Sequence, residues 1–161
     1  MNQHCEFDAI KKYRKNFMKP LKNSTFEHEL TCRMNTKDKN LWIIGTEKKL
    51  EQFIYNAIGD SWLHIYNKDN SQYWDGYMNQ PFIVFRLYHK RNRRQKIVQL
   101  KEAGDWCPTV VNVRWSSGEL NPNSYHCIIL SIFTPEEYCK GLYNEENEIK
   151  SLKWRYDELK L

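Results

Sequence analysis

The chain has 161 residues, with 6 Trp, 10 Tyr and 7 Phe set among 28% charged residues, enough apolar surface for one domain with a real core, which excludes a disordered chain. A net charge of +5 and a pI of about 8.9 tilt partners toward anions, nucleic acid first and acidic protein or membrane surface second. The opening "MNQHCEFDAIKKYRKNF" is charged where a signal peptide needs an apolar stretch, and no run approaches the roughly 18 apolar residues of a membrane span. A soluble, intracellular protein of nucleus or cytoplasm, without membrane contact, is therefore expected.

Phe7, Ile10 and Phe17 stand at near-helical spacing and predict a first helix that stops before Pro20, followed by a polar connection over residues 20–40. Leu41–Ile44 then reads as a strand. Leu50, Phe53, Ile54, Ala57 and Ile58 recur at i, i+3, i+4, i+7 and i+8, the stripe of a core-facing helix, with Thr46 as N-cap and Gly59 as its stop. Strands are predicted at Trp62–Tyr66 and Phe82–Leu87, a helix over 93–103 ended by Gly104, and strands rich in β-branched residues at Thr109–Val113 and His126–Ile132. Thr134-Pro135-Glu136-Glu137 has a capping-box pattern with proline at the first helical position. Ile149, Leu152, Tyr156 and Leu159 predict a final amphipathic helix, begun by the acidic run 144–148. Strands alternating with helices argue for a layered α/β domain with a largely parallel sheet.

Five cysteines, at 5, 32, 107, 127 and 139, lack paired C-x-x-C spacing and read as reduced thiols of an intracellular chain. His4-Cys5 and His126-Cys127 are adjacent pairs, and adjacent side chains point apart on a strand, so no metal site is expected. Trp74, Tyr77, Trp106 and Trp115 are candidates for a binding surface or, more commonly for such rings, for the core. Gly76 in "WDGY" is a turn glycine.

The order "LWIIG", "YWDGY" before "FIVF", "TVVNVRWSSGEL", "CIILSIFTPEEY" and "LKWRY" resembles the helicase domain of the replication initiator (Rep) proteins of circular single-stranded DNA viruses, circoviruses and their relatives. These are superfamily 3 helicases. The resemblance runs from about Leu41 to the C-terminus and divides the chain into an N-terminal helix and connector (1–40) and a helicase-like domain (41–161). It implies a P-loop NTPase-like, three-layer α/β sheet of mostly parallel strands flanked by helices. In the family such a domain is part of a hexameric, ATP-driven motor. The family's N-terminal nuclease, with its His-hydrophobe-His metal motif, has no counterpart in the residues before Leu41.

Position by position, the ATPase motifs are disrupted. A phosphate loop wraps its ligand with backbone N–H groups from several glycines and places lysine and Ser/Thr at the helix start. Here Gly45 is the single glycine, Thr46, Lys48 and Lys49 are the remnant of the nucleotide-binding loop, and Leu50 stands where the magnesium-binding hydroxyl is wanted. The acidic pair that should hold Mg²⁺ after the strand is replaced by Arg86 and Leu87, reversing the local charge. The sensor at the tip of "CIIL" becomes Ser131-Ile132-Phe133, and Arg155 is all that remains of the arginine finger. No cofactor is expected on this reading; Mg-ATP belongs to the alternative, a divergent but active helicase that uses Lys48 or Lys49 in a non-standard way.

What remains is binding. Arg86, Lys90, Arg91, Arg93, Arg94 and Lys96 fall within eleven residues without an acid, next to Tyr88 and His89, which could stack on bases; a second basic cluster spans Lys11 to Lys22. Arg114 stands where the family places a DNA-contacting hairpin. The expected partners are single-stranded DNA or RNA, with homo-oligomerisation or association with an active Rep as the further expectation; a solvated helix face is the plain alternative for either cluster.

Overall fold

The computed structural model describes residues 40–59, 61–122 and 124–161. The predicted first helix, the connection up to residue 39, the Lys11–Lys22 cluster, Cys5 and Cys32 lie outside the described residues.

The elements run β1 (Asn40–Ile44), α1 (Glu47–Ala57), β2 (Ile65–Asn67), β3 (Phe82–Leu87), α2 (Arg93–Gly104), β4 (Thr109–Val113), β5 (Ser116–Leu120), β6 (His126–Ser131), α3 (Pro135–Cys139), α4 (Glu145–Arg155) and β7 (Tyr156–Lys160). Five strands form one sheet in the order β2-β3-β6-β1-β7, and every pairing in it is parallel. β4 and β5 make a separate antiparallel ribbon. The α/β reading with a parallel sheet flanked by helices holds.

A strand buried on both faces must be apolar at successive positions, and alternation then sorts its side chains between two cores. Phe82 and Val84 of β3, with Ile128 and Leu130 of β6, meet Leu50, Phe53, Ile54 and Ala57 of α1. Ile83, Phe85 and Leu87, with Cys127 and Ile129, face the other way, against Ile97 and Leu100 of α2, Tyr138 of α3 and Leu152 of α4. The inner side of the ribbon, Val111 and Leu120, closes that second core. Thr46 caps α1 by accepting the Lys49 N–H, and Thr134 caps α3 by accepting the Glu137 N–H, as the sequence predicts. Gly59 and Gly76 take φ of +96° and +80°, conformations that favour glycine.

Three expectations need correction. The final helix does not reach Leu159: it stops at Arg155, and Tyr156–Lys160 lie along β1 in register from Asn40↔Tyr156 to Ile44↔Lys160. Spacings of three and four fit a helix, but a step of three on a strand puts Tyr156 and Leu159 on opposite faces, and each finds its own core. Satisfying the free edge of β1 outweighs local periodicity. The strand predicted at Trp62–Tyr66 shrinks to Ile65–Asn67, because the N–H groups of His64 and Ile65 both bond the Ser61 carbonyl in a turn, leaving Trp62 and Leu63 in solvent. β6 ends at Ser131, with Ile132 turned outward.

Candidate functional site at the carboxyl ends of the strands

In an open parallel sheet, loops at the carboxyl ends of the strands form the natural ligand crevice, sited where the connections diverge to opposite sides. Because all five strands of the sheet run the same way, Asn67, Leu87, Ser131, Ile44 and Lys160 end along one edge. β1 lies between β6 and β7, so the loop after Ile44 sits at that divergence.

That loop is occupied by the protein itself. The Gly45 N–H donates to the Ser131 carbonyl (3.1 Å), and the Leu161 N–H donates to the Ile44 carbonyl (2.8 Å). A Cβ on Gly45 would stand 3.3 Å from the Leu161 Cβ and 3.6 Å from the Leu50 side chain, which is fully buried. The Gly45 N–H is spent on β6, and two leucine side chains lie close beside the glycine. The Thr46 hydroxyl serves as the helix cap; Lys48 is exposed and Lys49 half-buried.

Two strands over, beyond β6, Arg86 is half-buried at the end of β3. Its Nε and Nη2 donate to Glu51 Oε1 and Oε2 at 2.6 and 3.2 Å, and Nη1 donates to Asn67 Oδ1 at 2.6 Å. The Tyr88 hydroxyl donates to the same Glu51 oxygen at 2.7 Å. The hydrogen bond from Arg86 holds the Glu51 carboxyl below its usual range, while burial and the Glu51 bond push the Tyr88 phenol well up. A fork donor, a phenol and an amide thus consume one carboxylate and one guanidinium, against a cleft of about 310 Å³ lined also by Ile54, Tyr55 and Gly59. Glu51 was not among the residues singled out from sequence. The one available signal is that a guanidinium following four apolar residues in a buried strand needs a carboxylate.

The tip of β6 is closed in the same manner. The Ser131 hydroxyl donates to the Leu87 carbonyl (3.4 Å) and accepts the Phe133 N–H (2.9 Å), and the Phe133 carbonyl accepts Trp42 Nε1–H (2.9 Å). No protein-family model matches this chain, and no curated protein sequence matches it.

Most of the predicted cations are engaged within the protein. Lys90 Nζ donates to the Glu137 carbonyl (2.6 Å) over the Phe133 ring, and Arg93 Nη1 donates to the carbonyls of Tyr138 (3.0 Å) and Lys140 (2.6 Å). These two tie the start of α2 to α3. Lys96 is buried, donating to the Asp69 carbonyl (2.9 Å); burial, and then the charge of Lys68, bring its pKa down to about 8. Arg114, at the ribbon tip, pairs with Asp75 (3.1 Å) and lies over the Tyr73 ring. Arg91 and Arg94 remain exposed, with no side-chain partner among the described residues.

The structure separates Arg155 from the turn that holds Gly45, Thr46, Lys48 and Lys49. Arg155 precedes β7 at the amino end of the sheet, the full length of the strand away from the Gly45 edge, where its Nη1 bonds Ser151 and its guanidinium covers Trp154. Of the candidate aromatics, Trp74 is buried, Tyr77 and Trp106 are half-buried, and Trp115 stands wholly in solvent at the ribbon tip with φ +65°. Cys127 and Cys139 are buried free thiols and Cys107 an exposed one. Among the described residues, no three His, Cys, Asp or Glu side chains are grouped to hold a metal, and no helix is long and apolar enough to cross a membrane.

Proposed function

We propose that this chain is a Rep-type helicase domain in which nucleotide turnover has been lost, and that it acts by contact with single-stranded DNA or RNA, alone or in association with other Rep-like subunits. The observation that carries the reading is the engagement of Arg86 by Glu51 at the carboxyl end of β3. Phosphoryl transfer needs a free carboxylate there for Mg²⁺ and a backbone cradle for the phosphates. At this edge the carboxylate is neutralised, the Gly45 N–H is bonded to β6, and two leucine side chains lie close beside Gly45. A parallel sheet with its loop at the divergence of the connections fits the architecture expected of such a domain.

A second reading, a divergent but active ATPase, is favoured by Lys48, which stands exposed near the start of α1. Calorimetric and thermal-shift titration with ATP, with and without Mg²⁺, separates the two. The proposal expects no heat and no shift, whereas ligand at 100 times its Kd would add about 2.7 kcal/mol. A magnesium-dependent shift, or steady release of phosphate, would transfer the site to the ATPase reading.

A further inference from the structure

Away from the carboxyl edge, the connection between α3 and α4 is pinned on both sides while its tip is left in water. Arg93 bonds the carbonyls of Tyr138 and Lys140. Gly141 takes φ +84°, and its N–H donates to Glu145 Oε2 at 3.2 Å. The Leu142 N–H donates to Cys139 and the Glu145 N–H to Leu142, closing two successive turns. Leu142 packs on the core, yet Tyr143 is 91% exposed. An aromatic ring on a fixed backbone loses little further entropy when something stacks on it, and none of the described residues stacks on this one.

Tyr143 forms one side of an open cleft of about 330 Å³, the lower end of the range for small-molecule sites. Ile97 and Val98 of α2 join Leu142 in an apolar lining, and Arg94 lies at the same cleft. The acids nearby are engaged within the protein. Glu148 pairs with Lys101 at 2.7 Å, Glu146 with Lys150 at 3.4 Å, and Glu145 accepts the Gly141 N–H at the positive end of α4. Exposed Arg91, Arg94 and Lys140 leave the surroundings positive.

We propose that this cleft holds one base of a single-stranded nucleic acid, DNA or RNA: the base stacks on Tyr143 beside the apolar lining, and a flanking phosphate pairs with Arg94. An aromatic face supplies sequence-tolerant affinity and a guanidinium supplies the phosphate contact. The site rests on the nucleic-acid part of the proposed function and gives that contact its place.

The test uses the full chain, fluorescence anisotropy with oligo-dT and oligo-U, and matched strands lacking bases. The wild-type chain is expected to prefer base-bearing strands. Tyr143→Ala weakens these roughly 5- to 150-fold and abolishes the preference, while Tyr143→Phe retains it. Arg94→Gln weakens base-bearing and abasic strands alike. Thermal melts within a degree or two of wild type show that these surface changes leave the fold intact. Tight wild-type binding that Tyr143→Ala leaves unchanged overturns the site and spares the nucleic-acid reading. A wild-type chain that binds neither oligomer overturns both.

Discussion

Glu51 and Arg86, 35 residues apart in sequence, meet as a forked ion pair at the carboxyl end of β3. The Arg86 side chain keeps 32% of its surface in water and that of Glu51 41%, so the pair lies between an exposed one, worth about 0–1 kcal/mol, and a buried one, whose breakage costs about 3–5 kcal/mol. Glu51→Gln is expected to destabilise the fold by about 1–3 kcal/mol in urea unfolding at pH 7. Because the native Glu51 pKa is depressed below 4.5, this stabilisation is complete above that pH and is lost as pH falls through the lower, folded value. The difference between wild type and variant should therefore shrink in acid; a constant difference would show that the ion pair is not its source.

For nucleic acid, the structure lowers the number of cations available. Five engaged phosphate contacts would give a log–log salt slope of about −3.5 on single strands, but of the cluster from Arg86 to Lys96 two cations, Arg91 and Arg94, lack a side-chain partner among the described residues, and for these the slope is expected near −1.5. Arg91→Gln with Arg94→Gln should flatten it almost to zero, and Lys90→Gln should leave it unchanged. A slope steeper than −3 would mean that cations outside this cluster carry the contact.

Lys96 is buried beside Lys68, and the carbonyl of Asp69 accepts from both. Its folded pKa of about 8 lies below the ordinary 10.5, so the folded state binds fewer protons than the unfolded one and stability rises with pH between those values. The penalty at neutral pH is on the order of 3 kcal/mol. Lys96→Met should raise the melting temperature at pH 7, and the advantage should fade by pH 10. Equal effects at both pH values would assign the gain to packing instead.

Gly104 ends α2 with its Cα against the Tyr156 ring; a Cβ there would meet Cζ and the hydroxyl at 2.7 Å. Replacing glycine by alanine inside a helix normally gains up to about 1 kcal/mol. Here Gly104→Ala is expected to destabilise by about 1–3 kcal/mol, because the phenol is fixed by bonds to the Leu100 carbonyl and Cys127. A chemical-denaturation midpoint at or above wild type would refute the close packing of β7 on α2.

Trp115 sits at a two-residue turn in the left-handed region, wholly exposed. A bulky residue there costs about 1 kcal/mol or more and buries nothing in return. Trp115→Gly should stabilise the fold by about 1 kcal/mol, read from the urea midpoint. Loss of stability would mean that the indole is covered in solution.

Local pattern determined much of this molecule. The stripe of Leu50, Phe53, Ile54 and Ala57, the caps at Thr46 and Thr134, and the bounds of Phe82–Leu87 and Thr109–Val113 follow from periodicity and hydrogen-bonding chemistry acting over a few residues. The guanidinium of Arg86 at the end of an apolar strand was equally legible, since residue type alone carries it. Tertiary structure decided the rest: that Tyr156–Lys160 leave the helical pattern to satisfy β1, that Glu51 reaches Arg86, and that Lys90, Arg93 and Lys96 are held by carbonyls rather than left facing solvent. Each depends on which distant group lies within about 3 Å, a matter of sheet order and packing that no spacing along the chain encodes.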